Sequence, residues 1–200
     1  MTMKLYYVPR TRASRPRWLL EELGVPYELV RLDLSKGETK SDEHTARHPL
    51  QHVPVLETRD GSIFESAAIV LHLADLYPDR KLIGAPGTHA RALAYQWLFF
   101  AMTELEPPAV TFFTHFRAKN TEHPDAFKAK DKLALALKPL ERHFASKEWL
   151  IDGGFSVADL VVGAVLSWCA GMGMIADSPN VLAWVERLRA RPAFKAAHRD

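Results

Sequence analysis

Short apolar runs alternate with one helical stripe over the first third of the chain. Lys4 to Val8 (KLYYV) reads as a buried strand, punctuated by Pro9. A polar loop, Thr11 to Ser14, leads into a helix whose apolar face is Trp18, Leu19, Leu20 and Leu23. Pro16 sits early in that helix, where its missing N–H costs little, and Gly24 suits the C′ position. Pro26 then opens a second run, Tyr27 to Leu32. Two strands joined by one helix form a βαβ unit, so they are expected to run parallel. Ser35 to Arg47 is polar and weakly periodic, and reads as a loop with a poor helix.

The stretch from His48 to Pro78 organises what comes before it. Val53 to Leu56 is a short apolar run, and Ser62 to Phe64 is another. Between them Arg59-Asp60-Gly61 supplies a hairpin turn, with Asp-Gly its strongest pair. Ser66 suits the N-cap of a helix carried by Ile69, Val70, Leu73 and Leu76. Pro54 is the odd member, since a strand proline belongs at a first residue, an edge or a bend.

Beyond Thr88 no strand is convincing. Asp79 to Thr88 carries Gly, Pro and charge and reads as a linker. Ala90 to Phe116 is long and apolar, with Pro107-Pro108 expected to break or kink it. His123 to Ala145 is amphipathic, with Pro139 inside it, and Gly153-Gly154 turns the chain. Ser156 and Asp159 form a capping-box-like pair before a helix, Leu160 to Cys169, that is apolar on most faces and so expected at the centre of its domain. Two further helices, separated by Arg191-Pro192, complete the pattern.

Composition narrows the class. Two hundred residues allow one or two domains, and 48% hydrophobic with 25% charged residues is the balance of a soluble globule. A formal net charge of +2 without a dominating Lys/Arg block does not suggest nucleic acid. The short cluster Arg10, Arg12, Arg15 and Arg17, at a strand–helix junction, suits a small anionic ligand better. Cys169 is the single cysteine, so an intramolecular disulfide is impossible, and the nine histidines show no recognised metal-ligand spacing. No metal is therefore expected. No run approaches a membrane span and the first residues lack a signal-peptide core, so a cytoplasmic protein is expected.

Val53-Pro54-Val55-Leu56, followed at this spacing by Glu65-Ser66 and an apolar helix, resembles the glutathione-binding half of the glutathione S-transferases. The Ser156–Asp159 helix and the tail resemble the family's second half, so the likeness spans nearly the whole chain. The resemblance implies an α/β thioredoxin-like domain over 1–78, a linker over 79–89 and an all-α helical domain over 90–200. It implies a cis bond before Pro54, with the backbone of Val53 meeting the cysteinyl part of glutathione. Glu65 and Ser66 would hold the γ-glutamyl end, and Gln51 and His52 would reach the glycyl carboxylate, with Lys36 and Lys40 as weaker candidates. A helix N-terminus favours a carboxylate on physical grounds as well.

Glutathione attacks as its thiolate, from a thiol pKa of about 8.5. In the family a Tyr, Ser or Cys near the first helix stabilises the sulfur. Thr11-Arg12-Ala13-Ser14-Arg15 resembles the Ser-Arg-Ser-x-Arg loop of bacterial and fungal members, with Ala13 replacing the second serine and Arg12 standing where other members have cysteine. Thr11 and Arg12 rank first for this role, Ser14 second and Tyr6 third. Helix capping accounts equally well for Thr11 and Ser14, and core packing for Tyr6. Tyr95, Phe99, Met102, Thr103, Phe113 and Phe116 are the candidates to line the electrophile site, although such a stripe also suits a core. The implied function is conjugation of glutathione to a small hydrophobic electrophile by a homodimer. A glutathione-dependent peroxidase or disulfide reductase, and a non-catalytic glutathione- or hydrophobe-binding protein, stay open as alternatives.

Overall fold

A computed structural model describes residues 2–200. These divide into two compact units, residues 2–81 with 191–200, and residues 82–190.

The first unit is built on β1 (Met3–Tyr7), α1 (Ser14–Leu23), β2 (Tyr27–Arg31), α2 (Asp42–Arg47), β3 (Val55–Thr58), β4 (Gly61–Phe64) and α3 (Ser66–Leu76). The sheet order is β2-β1-β3-β4, with β1 and β2 parallel and the other pairs antiparallel. This is the mixed sheet of a thioredoxin-like domain, and it follows from the βαβ start and the hairpin. Leu5, Leu56, Trp18, Leu19, Leu23, Ile69 and Leu73 have no exposed surface and form its core. Gly24 ends α1 with a left-handed φ of 64°, its N–H donating to the Leu20 carbonyl at 3.0 Å.

Two local expectations are corrected here. The hairpin turn is Arg59-Asp60, because Gly61 already pairs with Thr58, whose hydroxyl donates to the Gly61 carbonyl at 3.1 Å. Gly61 takes φ 130°, which lets it serve as a strand end rather than a turn residue. Ser66 is the first helical residue of α3 and not its cap. The cap position is Glu65, at φ 72° and ψ 113°, and its carbonyl accepts the Ile69 N–H at 3.0 Å.

The last ten residues pack with the first unit. They include a final helix, counted α9 in chain order (Pro192–Ala197). Phe194 meets Trp18 edge to face at 4.9 Å, and Arg191 makes a two-point bond to Glu22 of α1 at 2.6 and 2.9 Å. Asp200 accepts from Tyr7 and from Arg17, each at 2.8 Å.

The second unit contains α4 (His89–Phe100), α5 (Glu106–Arg117), α6 (Pro124–Phe144), α7 (Val157–Gly171) and α8 (Pro179–Ala190). Ala101–Leu105, between α4 and α5, is π-helical. Pro107 and Pro108 fall in the first turn of α5, where no N–H is needed from them, so the helical path changes its hydrogen-bond pattern instead of ending. α7 is buried along nearly its whole length. Its Asp159 carboxylate, with no exposed surface, accepts from the N–H groups of Ser156 (3.0 Å) and Leu150 (2.9 Å), the Ser156 hydroxyl (2.8 Å) and the Trp184 indole (3.3 Å). The Ser156–Asp159 pair therefore fixes the start of α7 and also ties it to α8. Gly163 is needed at the same contact, because a Cβ there would lie 2.2 Å from a Leu188 methyl.

Candidate active site

The β1–α1 loop is already strongly bonded within itself. The Thr11 hydroxyl donates to the Val8 carbonyl at 2.6 Å and accepts the Ala13 N–H at 3.3 Å. The N–H groups of Ser14 and Arg15 go to the carbonyls of Thr11 and Arg12. Thr11 thus shapes the turn, and its one hydroxyl proton is committed to Val8. Arg12 is exposed beside it, and the half-buried Ser14 hydroxyl makes no hydrogen bond with another described residue.

The start of α3 comes to the same region of the unit through Arg15. This arginine is only 4% exposed and donates to the Ser66 hydroxyl at 3.1 Å. Sequence reading noticed the arginine cluster but missed which member is buried. The signal was present: Arg15 lies three and four residues before Trp18 and Leu19, on the apolar face of α1. Glu65 is exposed at the cap, held in a conformation that non-glycine residues rarely adopt. Its carboxylate and the first N–H groups of α3 together offer an acceptor and donors within one turn.

Val53 precedes the first ladder pair of β3, so the sheet does not engage its backbone, and the Val53–Pro54 bond is cis. Before it, Gln51 has φ 59° and donates from its amide to Thr45 at 3.2 Å. The His52 carbonyl pairs with His44 Nε2 at 2.8 Å, which places the proton there and leaves buried His44 Nδ1 without a partner. His48 is buried, accepts the Leu50 N–H and stacks 4.6 Å from Phe64. Burial, with His52 next, pushes the His48 imidazole pKa down. These two histidines brace the approach to Val53 and were not foreseen. Lys36 and Lys40 stand exposed, Lys36 within 3.8 Å of Asp33.

Tyr6 lies on the other face of the sheet from α1. Successive strand side chains alternate, and here Tyr7 turns towards α1 while Tyr6 turns towards α2. The Tyr6 hydroxyl donates to Glu57 at 3.2 Å, and the Arg47 guanidinium sits 4.4 Å from its ring centre. Arg47 also binds Glu57 at 2.8 Å, and Tyr6 and Arg47 line a cavity of about 400 Å³ with His44 and Glu43. Burial raises the Tyr6 pKa, and the Glu57 carboxylate adds to that against the opposing Arg47 charge.

The six electrophile candidates lie on α4, the π-helical stretch and α5 of the second unit. None is fully buried, and Phe99 is 69% exposed. Phe113 packs on Trp168 at 5.0 Å, and the Thr103 hydroxyl donates to the Phe99 carbonyl at 3.0 Å. Cys169 is fully buried in α7, and burial pushes its thiol pKa up to about 12. That excludes it as an enzyme nucleophile at neutral pH.

A thioredoxin-like sheet, a strand entered through a cis-proline and a second, all-helical unit define the class of two-domain thioredoxin-like proteins. Family comparison agrees. Residues 1–75 match the model of the glutathione S-transferase N-terminal domain, and residues 93–192 match that of the C-terminal domain. Glutathione S-transferase 4 of Zea mays is 31% identical over 90% of this chain and 84% of its own length. The disulfide-bond oxidoreductase YfcG of Escherichia coli K12 is 29% identical, covering 94% and 91%. The crystal structure of a glutathione transferase from Methylococcus capsulatus superposes with a TM-score of 0.85 at 33% identity, over 99% of this chain and 98% of that one. The chain belongs to the glutathione S-transferase family.

Proposed function

We propose that this protein binds glutathione along β3 and the starts of α1 and α3, and transfers its thiolate to a small hydrophobic electrophile. The observation that carries the reading is the buried Arg15–Ser66 hydrogen bond, which holds the two helix N-termini together. The γ-glutamyl carboxylate meets the first N–H groups of α3 and the Ser66 hydroxyl, and Glu65 takes the α-amino group. The free backbone of Val53 pairs with the cysteinyl amide, with Pro54 fixing the chain direction behind it. Gln51 and His52 reach the glycyl carboxylate.

The sulfur then lies at the start of α1. The thiol loses its proton to solvent, the thiolate forms the new C–S bond, and the leaving group departs with its electron pair. Lowering a thiol pKa by about 2 units takes about 2.7 kcal/mol of preferential thiolate stabilisation. The α1 dipole contributes about 0.3–1 kcal/mol of this. The Arg12 cation and a hydroxyl donor supply the remainder. Ser14 offers its hydroxyl directly, whereas Thr11 has to release Val8 first, which moves Ser14 above Thr11 in the ranking. The electrophile is assigned to Tyr95, Phe99, Met102, Thr103, Phe113 and Phe116, none of which is consumed by core packing. A cytoplasmic homodimer completes the reading, since isologous pairs are the commonest oligomers; sedimentation at a monomer mass would remove that part.

The test is ultraviolet titration of bound glutathione, with turnover of a chromogenic aryl halide. Ser14→Ala and Arg12→Ala should raise the bound thiol pKa, and Tyr6→Phe should not. A rise in Tyr6→Phe alone would overturn the sulfur assignment. Glutathione binding without turnover of any electrophile class would favour a binding protein. A second reading, glutathione-dependent disulfide or peroxide reduction, is supported by the name of the relative from Escherichia coli. Because Cys169 is buried, it requires two glutathione thiols, and faster reduction of a mixed disulfide than conjugation would select it.

A further inference from the structure

His115, His123 and Asp125 come together where α5 gives way to α6. Their potential ligand atoms all lie within 4.8 Å of one another. His115 is in the last turn of α5, His123 caps α6, and Asp125 is in the first turn of α6. Two hydrogen bonds close the loop between them: Asn120 N–H to the His115 carbonyl (2.9 Å), and His123 N–H to the Asn120 carbonyl (3.3 Å). The two imidazoles are stacked, with centres 4.3 Å apart and planes within 13°. Beyond that stack, the His115 side chain makes no hydrogen bond, ion pair or ring contact with another described residue. His123 Nδ1 accepts the Asp125 N–H at 3.2 Å and stands 3.8 Å from the Asp125 carboxylate.

We propose that these three side chains form a site for a borderline divalent transition metal, with zinc as the probe. Two imidazoles and one carboxylate are a ligand set suited to zinc, nickel, cobalt and copper rather than to magnesium or calcium, which take oxygen. Parallel rings aim their lone pairs along parallel planes, so one ring has to turn about its Cβ–Cγ bond for both nitrogens to reach a metal at about 2.0–2.1 Å. His115, only partly buried and held by no side-chain hydrogen bond to another described residue, is the ring to turn. Metal at His123 Nδ1 takes over the lone pair that now accepts the Asp125 N–H, and displaces Lys128, 3.5 Å away, as the counter-charge of Asp125. Water fills the remaining positions. The metal joins the end of α5 to the start of α6, so binding should raise thermal stability, growing with the logarithm of metal concentration above the dissociation constant. Sequence spacing hid the site because the third ligand is only two residues from the second and the first lies across a loop.

The test uses the full chain after chelator treatment. Zinc is titrated by calorimetry, cobalt by its visible d–d absorption, and melting is followed with and without zinc. Saturable binding of one zinc per chain is expected, with a tetrahedral or five-coordinate cobalt spectrum and no response to calcium or magnesium. His115→Phe keeps a ring on the stack but removes its nitrogens, and Asp125→Asn keeps the fold and removes the charge. Each should weaken zinc binding by roughly tenfold or more, about 1.4 kcal/mol. His89→Ala, exposed elsewhere, should leave it unchanged. Unchanged affinity in His115→Phe, non-saturating uptake, or equal affinity for calcium would overturn the proposal.

Discussion

Arg15 donates to the hydroxyl of Ser66 at 3.1 Å, from within the core of the first unit. A buried guanidinium is costly unless its hydrogen bonds are met, so α1, which follows the β1–α1 loop, and α3, which begins at Ser66, share one polar link. Arg15→Ala leaves the Ser66 hydroxyl, assigned to glutathione in the proposed function, without its fixed donor. Losing one partner of a charged hydrogen bond costs about 1.5–3 kcal/mol, or roughly ten- to a hundredfold in affinity. Calorimetry should show that loss for Arg15→Ala and again for Ser66→Ala, with the double variant little worse than the worse single. Additive losses would mean that the two residues act independently.

Glu57 gives the acid limb of stability. The Arg47 hydrogen bond, with the Tyr6 hydroxyl next, holds its carboxyl below the usual glutamate range. A depressed folded pKa stabilises above the unfolded value of about 4.3 and is lost as pH falls through the folded value. Melting curves from pH 6 to pH 3, roughly the window set by that reference, should therefore fall less steeply in Glu57→Gln than in the parent. An unchanged slope would place the acid sensitivity elsewhere.

The thiol of Cys169 should resist iodoacetamide in the folded protein at pH 8 and react fully in denaturant, because its pKa is raised to about 12 by burial. Glutathione-dependent activity should survive in Cys169→Ala if the fold does. Rapid labelling of native protein would show that α7 opens readily.

Asp159, with no exposed surface, accepts four hydrogen bonds. Asp159→Ala strands the Leu150 N–H and the Trp184 indole and removes the reverse arm of the cap. Breaking a buried polar network of this kind costs about 3 kcal/mol or more. Thermal melting should show a large loss, and Asp159→Asn a smaller one, since the amide oxygen still accepts.

Period and punctuation made much of this legible. The strand-helix alternation up to Pro78, the Pro54 bend, Gly24 and the Ser156–Asp159 pair each have a local cause, and local causes are written locally. Ser66 shows the limit. Its residue type suits a cap, but a buried arginine fifty-one positions away takes its hydroxyl, and the helix begins one residue earlier than capping chemistry suggests. Thr11 was a reasonable donor by residue type, and only the short bond to Val8 reveals where its proton goes. The placement of Tyr6 against Tyr7 depends on which face of one strand carries α1, which alternation leaves open as a choice of two. The packing of the tail on α1 has no local signal at all, because Glu22 and Arg191 meet only through the fold.

That tail has a consequence for how the protein comes off the ribosome. Most of the first unit is made before the helical unit, but the piece carrying Phe194 and Asp200 is made after it. Until then Trp18 lacks one aromatic neighbour and Tyr7 and Arg17 lack their shared carboxylate. The helical unit is, in topological terms, an insertion into the first, and residues made after it close the earlier structure.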